Sequence, residues 1–547
     1  MISAIQTSLP LGSSLLRSFR FEGLEVGRSG ALPTLAGGGR ACCDVLLAVD
    51  LAGSASAALA ELLADAASRL GTDGVLLLAL PNRFGLRFWS GCPEPATGRL
   101  FATLSGAGAA PAAAVEPAHR PRQFVSRREL SQALTQNGFT ALEWFFAVPD
   151  GGETGSSGSL ISERLVAAAP ELAAELATAR PSADRFRPRL DLFPEALVGR
   201  ELARAGLFAE FANYFLVAAA LGPTAPGNAG VGIWPRLRPP AAEVGWHFAA
   251  GRREPIATLF ELGPAGITVG KRRVAGPSAL APLDLGEFRW KAPETAPLAP
   301  GDPLRLRLQE HLVAGRSALF LDELVLFCSA MRERFGSGED LSGAALDATL
   351  TNAMRDRSGA FHLFDLEWEA PAGLPLSWWI LRNALACLEM RGPRCSGMAT
   401  GADLYRELCQ RLAVAPRLAA DLAREAEFGA IARAVPREKG TALLSAALGQ
   451  PWPVPVAQGL DPAELRSAIE VAAAHQQLIA DYRKLELWAE ETRQKNAATE
   501  AAYRRLENWA TQVQQANQTV LADYRKLAEW ATSLEAELQR KDSGNPS

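Results

Sequence analysis

Residues 346–368 read L-D-A-T-L-T-N-A-M-R-D-R-S-G-A-F-H-L-F-D-L-E-W, and three polar residues in this stretch have a spacing with chemical meaning. Asp347 and Asn352 are five apart, and Asp365 follows thirteen residues after Asn352. Ser358-Gly359 places a turn between two apolar segments, so a hairpin separates the first pair from the second acid. Transfer of a phosphoryl group needs a carboxylate near the incoming hydroxyl, an amide oxygen on a metal ion and a second carboxylate on that metal. Asp347 as base, with Asn352 and Asp365 as metal ligands, would supply those three groups. Against this, Asp and Asn are common loop residues, and any hairpin can end in an acid.

The order D-x-x-x-x-N, hairpin, D is also the kinase pattern. Its usual His-Arg prefix is missing, because Ala345 and Leu346 precede Asp347, and Leu366-Glu367 follows Asp365 in place of Phe-Gly. The ending Phe364-Asp365-Leu366-Glu367-Trp368 resembles the I-D-F-E-Y of choline-kinase and aminoglycoside-phosphotransferase relatives. That resemblance implies an α+β kinase-like domain acting on a small molecule or glycan, with ATP and Mg²⁺ as cofactors. Upstream, residues 258–262 and 266–269 read as a hairpin around Gly263-Pro264-Ala265, ending in Lys271-Arg272-Arg273. In a kinase small lobe a lysine on the third strand meets the nucleotide's phosphates, and Lys271 is the candidate here. A solvated strand end is the alternative for the same three residues. Helices are expected at 304–313, 319–335, 376–390 and within 402–435, with Trp378-Trp379 as core packing.

A chain of 547 residues suggests two or three domains plus an extension. Nearly half its residues are hydrophobic, enough to build real cores. The net charge of −4 and the lack of a large basic block speak against nucleic acid as a partner. Seven cysteines, odd in number and without a C-x-x-C pair, suit a reducing cytoplasm better than secretion. The first dozen residues lack a cationic start and a sustained apolar run, so no signal peptide is expected. Apolar runs such as 75–80 are too short to cross a bilayer. These features lead us to expect a cytoplasmic chain, with a peripheral position at the inner face of the membrane as the alternative.

Residues 44–49 and 75–80 read as buried strands on either side of a helix at 55–70, with Gly71-Thr72-Asp73-Gly74 as a turn. Strand, helix, turn and strand together predict a parallel sheet of the α/β class. A second helix at 126–137 carries the signature of a capping box, Ser126 with Glu129, and ends at Gly138 before a strand at 141–148. The blocks Asn82-Arg83-Phe84-Gly85-Leu86-Arg87-Phe88, Thr97-Gly98-Arg99, Arg122-Gln123-Phe124-Val125-Ser126 and Val148-Pro149-Asp150 resemble the second half of class I S-adenosylmethionine-dependent methyltransferases. More narrowly, they resemble a subgroup found in bacterial surface-polysaccharide gene products. Such enzymes bind the cofactor on a G-x-G-x-G turn after the first strand. Here only about 43 residues precede Asp44, and Gly37-Gly38-Gly39 follows no convincing strand. The resemblance therefore implies a partial Rossmann-like methyltransferase domain, truncated at its N-terminus, for which S-adenosylmethionine is a disfavoured ligand.

Gln450-Pro451-Trp452-Pro453-Val454-Pro455 cannot be helical and reads as a linker. After it Tyr482, Tyr503 and Tyr524 recur at 21 residues, as do Leu485, Leu506 and Leu527, and Trp488, Trp509 and Trp530. Twenty-one residues are three heptads, the period of a left-handed coiled coil. With the tyrosines at a, the leucines fall at d, the tryptophans at g, and Asn496 and Asn517 at a. Buried asparagines at a fix register and strand number, so a homo-oligomer is expected.

The expected domains are 1–165, methyltransferase-like; 183–435, kinase-like; 436–464, a Pro-rich linker; and 465–541, the coiled coil. In that order they resemble bacterial enzymes that cap O-antigen chains with methyl and phosphate groups. Three functions follow: an accessory or scaffold protein of lipopolysaccharide and other surface-polysaccharide biosynthesis, a working ATP- and Mg²⁺-dependent kinase, or a working methyltransferase, which the missing cofactor turn argues against. Glycosyltransferases or a glycan substrate are the partners that this implies.

Overall fold

The computed structural model describes residues 26–29, 43–49, 56–94, 99–106, 124–148, 158–178, 191–221, 242–248, 256–273, 282–291, 295–393, 395, 397–433, 435–454, 456–457 and 462–542. The Gly-rich piece 35–40 and the composition break at 150–157 lie outside these residues. The chain divides into two compact units, Met1–Ala472 and Ala473–Ser547. It mixes helix and sheet and ends in one long helix.

The first unit is organised by a ten-stranded sheet. Strands β1 (Val26–Ser29), β2 (Cys43–Val49) and β3 (Leu70–Pro81) run parallel, with helix α1 (Ser56–Arg69) crossing between β2 and β3. Residues 75–80 are almost wholly buried, as expected of a strand covered on both faces. The expected turn at 71–74 is instead part of β3. There the register shifts, with Cys43 opposite Leu70 and Val45 opposite Val75, so β3 carries three more residues than β2 across this irregularity.

Beyond β3 the sheet turns antiparallel. Strand β4 (Phe139–Val148) follows helix α2 (Arg127–Gln136), whose capping box is complete: Glu129 N donates to Ser126 Oγ and Ser126 N to Glu129 Oε2. Next come β5 (Gly158–Ser162), β6 (Tyr214–Leu221), β7 (Glu243–Phe248), β8 (Ile256–Gly263) and β9 (Gly266–Arg273). Strand β6 does not lie where its sequence position suggests. It sits between β3 and β4 and pairs antiparallel with both. The sheet then continues through β5, β7, β8 and β9. The expected division between 1–165 and 183–435 is therefore corrected: both regions build a single sheet, because β6 is apolar on both faces and seven of its eight residues are buried where it pairs with β3 and β4.

The second layer of the unit is helical, built on α3 (Leu304–Val313), α4 (Ser317–Phe335), α5 (Leu376–Ala386), α6 (Gly401–Arg411), α7 (Leu418–Arg433) and α8 (Arg437–Leu448). Trp378 and Trp379 are fully buried in its core. The sheet has its own core, centred on residues such as Leu78, Phe146 and Val217. Residues 361–368 join the two, since Phe364 packs on the sheet core while Phe361, Leu363, Leu366 and Trp368 pack on the helical one.

The stretch expected as a linker, 436–464, begins with α8 and continues as a strap bound to the helical layer. Trp452 is buried, donates from Nε1 to the Cys387 carbonyl at 2.8 Å and packs against Phe320. Val454 N donates to Met390 O, and Gly392 N to Val454 O. Proline forbids helix here but not a strap, and the indole supplies the anchor.

Helix α9 (Pro462–Asp542) has 81 residues and supplies the second unit. Its part within that unit is about 100 Å long at 1.5 Å per residue. No helix of the described residues is long and apolar enough to cross a membrane.

Candidate functional site

Strands β8 and β9 pair so that Thr258 lies opposite Lys271. Lys271 therefore falls two residues inside the strand's end, with its side chain wholly enclosed. Its Nζ donates to Thr258 Oγ1 at 2.7 Å and lies 2.6 Å from Asp365 Oδ1 and 3.2 Å from Glu367 Oε2. Burying an ammonium costs several kcal/mol unless it is paired and hydrogen-bonded, and here three oxygens surround it. A solvated strand end, the alternative reading of Lys271, does not describe this position.

The carboxylates reach Lys271 from residues 346–368. Residues 353–355 and 361–363 form the hairpin, with Met354 opposite His362 and Gly359 at φ +88° in the turn. Asp356 holds that turn from its start, accepting from Ser358 Oγ and Ala360 N. The chain then bends at Asp365, which adopts a left-handed backbone with φ +57°. Asp tolerates that region better than most side chains, at a cost of about 1 kcal/mol. The bend points Asp365 and Glu367 at the lysine.

Asp347 enters from a pair of short 3-10 turns, residues 343–345 and 350–352. Its Oδ2 accepts from the backbone N–H groups of Glu367 and Trp368, at 3.0 and 2.7 Å. Asn352 Nδ2 donates to the Asp347 carbonyl at 3.0 Å, and Phe364 N donates to Asn352 O. The five-residue spacing thus closes a loop on itself and ties it to the segment that carries Asp365. Burial, then the nearby Glu367 charge, pushes the Asp347 carboxyl up to about 7, against the pull of Arg382.

All four residues singled out by sequence, Lys271, Asp347, Asn352 and Asp365, meet at this junction of sheet and helical layer. Three further participants were missed. Glu367 stands in the same D-L-E-W ending, and its spacing of two from Asp365 was a usable signal. Thr258 carried none, since only strand register brings it opposite Lys271. Arg382, on α5, lies 3.9 Å from Asp347 and 3.8 Å from Glu425, with its guanidinium over the Phe428 ring. No sequence spacing connects it to the cluster.

The donor set can be tested against Mg²⁺. Among the described residues no three Asp, Glu, His or Cys side chains are grouped to hold a metal ion. Asp365 and Glu367 enclose an ammonium group, Asp347 Oδ2 is committed to two backbone amides, and the Asn352 amide to a carbonyl. This arrangement fits lysine and does not fit a divalent cation.

Elsewhere in the first unit, ion pairs join the helical layer to residues 175–200, two of them buried and the third with its glutamate half exposed. Arg305 meets Glu175 through two hydrogen bonds at 2.6 and 3.2 Å, and Arg391 Nε donates to Asp191 at 2.9 Å. Arg200 Nη1 donates to Glu310 at 3.1 Å. Compared with known families, curated proteins and solved structures, the chain has no match.

Proposed function

We propose that this chain is a non-catalytic assembly protein of bacterial surface-polysaccharide biosynthesis. In this reading a methyltransferase-like sheet and a kinase-like layer form a rigid platform, and the C-terminal helix gathers copies of the chain. One observation carries it: the Lys271 ammonium lies within 3.2 Å of both Asp365 and Glu367, in the place where a working phosphoryl-transfer centre would need a metal. The buried pairs Arg305–Glu175 and Arg391–Asp191 support it too, since they resist the kind of relative movement by which nucleotide sites open and close. The polysaccharide assignment rests on the resemblance of residues 82–150 and 364–368 to such pathway proteins.

The second reading is an ATP- and Mg²⁺-dependent kinase acting on a glycan or small molecule. It is favoured by the convergence of Lys271, Asp347, Asn352 and Asp365, which chance spacing does not explain. It requires Lys271 to leave Asp365 for a phosphate when nucleotide binds. Calorimetric titration of Mg·ATP into the full chain and into Asp365→Asn separates the two. The assembly reading expects no saturable heat at millimolar nucleotide, and saturable binding lost in Asp365→Asn would replace it with the kinase.

A further inference from the structure

The second unit presents an apolar face that no residue of its own helix can cover. Leu506, Trp509, Tyr524, Leu527 and Trp530 are each more than half exposed. Isolated apolar side chains on a surface are ordinary, but a row that repeats every 21 residues along one helix marks an interface. An occupant of such a face must offer matching features at the same interval. Another copy of this chain does so.

We infer that neighbouring copies of α9 pack parallel and at the same level, and that Lys495 and Glu500 key the register. The inference rests on the helix being the assembly element, as proposed above. Asn496 and Asn517 give the direction. They occupy a positions, and identical a residues face one another only when strands run parallel and level, where the two amides can bond across the seam.

The register needs a key because the repeat is ambiguous. Slipping one strand by 21 residues would still set Tyr503 against Tyr524 and Asn496 against Asn517. Two repeats would then match in place of three. The flanks of the seam break that ambiguity, since a residue at g lies beside the e residue five positions later on its neighbour. At the level register Lys495 meets Glu500 in the first spacer, while Ala516 meets Leu521 in the second. One spacer is keyed by charge and the other by apolar contact. A slip of 21 residues sets Lys495 against Leu521 and Ala516 against Glu500, and brings Asp523 beside Glu507. The slipped form loses each Lys495–Glu500 ion pair, while its like-charge contacts only replace the Asp481–Glu486 contacts of the level register.

In the single helix Lys495 reaches back to Glu491 at 2.8 Å. Such an exposed pair is worth only a few tenths of a kcal/mol, so Lys495 is free to turn to a neighbouring strand.

The test uses full-length chains carrying Asn496→Cys or Asn517→Cys, co-expressed and oxidised, with the unaltered chain as control for its own cysteines. At matched a positions of level parallel strands the two sulfurs come within disulfide reach. Links 496–496 and 517–517 are expected, with 496–517 links at least tenfold rarer. Adding Lys495→Ala and Glu500→Leu to both chains makes the two spacers alike, and 496–517 links should then rise several-fold. Predominant 496–517 linkage in the first experiment, or no rise in the second, overturns the inference. So does a monomeric mass at micromolar concentration in sedimentation. Mg·ATP titration of the same chains reads the platform separately: an oligomer of the expected register that binds nucleotide would sink the non-catalytic reading and leave this one standing.

Discussion

The Lys271 ammonium lies 2.6 Å from Asp365 Oδ1 with none of the lysine side chain exposed, and this contact joins the last long strand of the sheet to the segment leaving the hairpin. It brings together residues 94 positions apart in the sequence. Removing the cation leaves Asp365 and Glu367 beside one another without it. Lys271→Met is expected to destabilise the first unit by about 3–5 kcal/mol, as for a broken buried pair. Denaturation followed by tryptophan fluorescence measures this. Adding Asp365→Asn and Glu367→Gln should recover most of the loss, and a stable Lys271→Met single variant would show that the pair is not structural.

Asp347 predicts a pH dependence of definite sign. Its folded-state pKa is raised, by burial first and by Glu367 next, to about 7. The folded chain therefore holds a proton that the unfolded chain releases near pH 4. This group's contribution to stability is largest below pH 4, falls as pH rises towards 7, and is level above that. The slope approaches at most about 1.4 kcal/mol per pH unit. Asp347→Asn keeps an acceptor for the Glu367 and Trp368 amides, so it should flatten that slope and gain on the wild type at pH 8. Denaturation midpoints from pH 5 to 8 decide it.

Glu323 behaves in the opposite sense. Buried on α4, it accepts from Arg307 Nε at 3.0 Å and from Arg355 Nη1 at 2.5 Å, and it pairs with His311 Nε2 at 2.8 Å. Burial opposes ionisation, but the Arg307, Arg355 and His311 contacts outweigh it and lower its pKa. The stability it contributes is present above about pH 4 and is lost as pH falls through its folded-state value. Glu323→Gln should cost about 3 kcal/mol at pH 7. The difference from the wild type should shrink in acid, which a denaturation series from pH 7 to 3 would register.

Trp452 tests whether the proline strap belongs to the first unit. Trp452→Ala removes a buried indole and its bond to Cys387 O, with an expected cost of about 3–5 kcal/mol. Limited proteolysis should then cut within residues 449–457 at a rate at least tenfold higher. A free linker would be cut equally fast in both chains.

Much of the local structure is legible in the sequence. The helix opened by Ser126 and Glu129 has its cap as read, because capping is settled within four residues. The strands at 44–49 and 75–80 and the helix Leu304–Val313 follow from apolar spacing in the same way. The four candidate site residues also converge as a set. Their chemistry was not legible, because spacing shows which residues can meet and not what each side chain is bonded to once they have met. The expected turn at 71–74 is part of β3 with an irregular register, because pairing with a neighbouring strand, not the glycines, decides whether a chain stays extended. The linker became a strap because a buried contact 65 residues away captures Trp452.

The sequence by itself determined the alternation of helix and strand, the hairpin with its acids, and the 21-residue period of the last helix. These are properties of near neighbours, carried by side-chain periodicity and turn chemistry. Only the tertiary structure decided that β6 sits at the centre of a sheet shared by both expected domains, and that Lys271 lies enclosed against Asp365 and Glu367. Strand order and the pairing of buried charges depend on which distant surfaces exclude water from one another. No local pattern encodes that choice, because its free energy arises only when the two layers close.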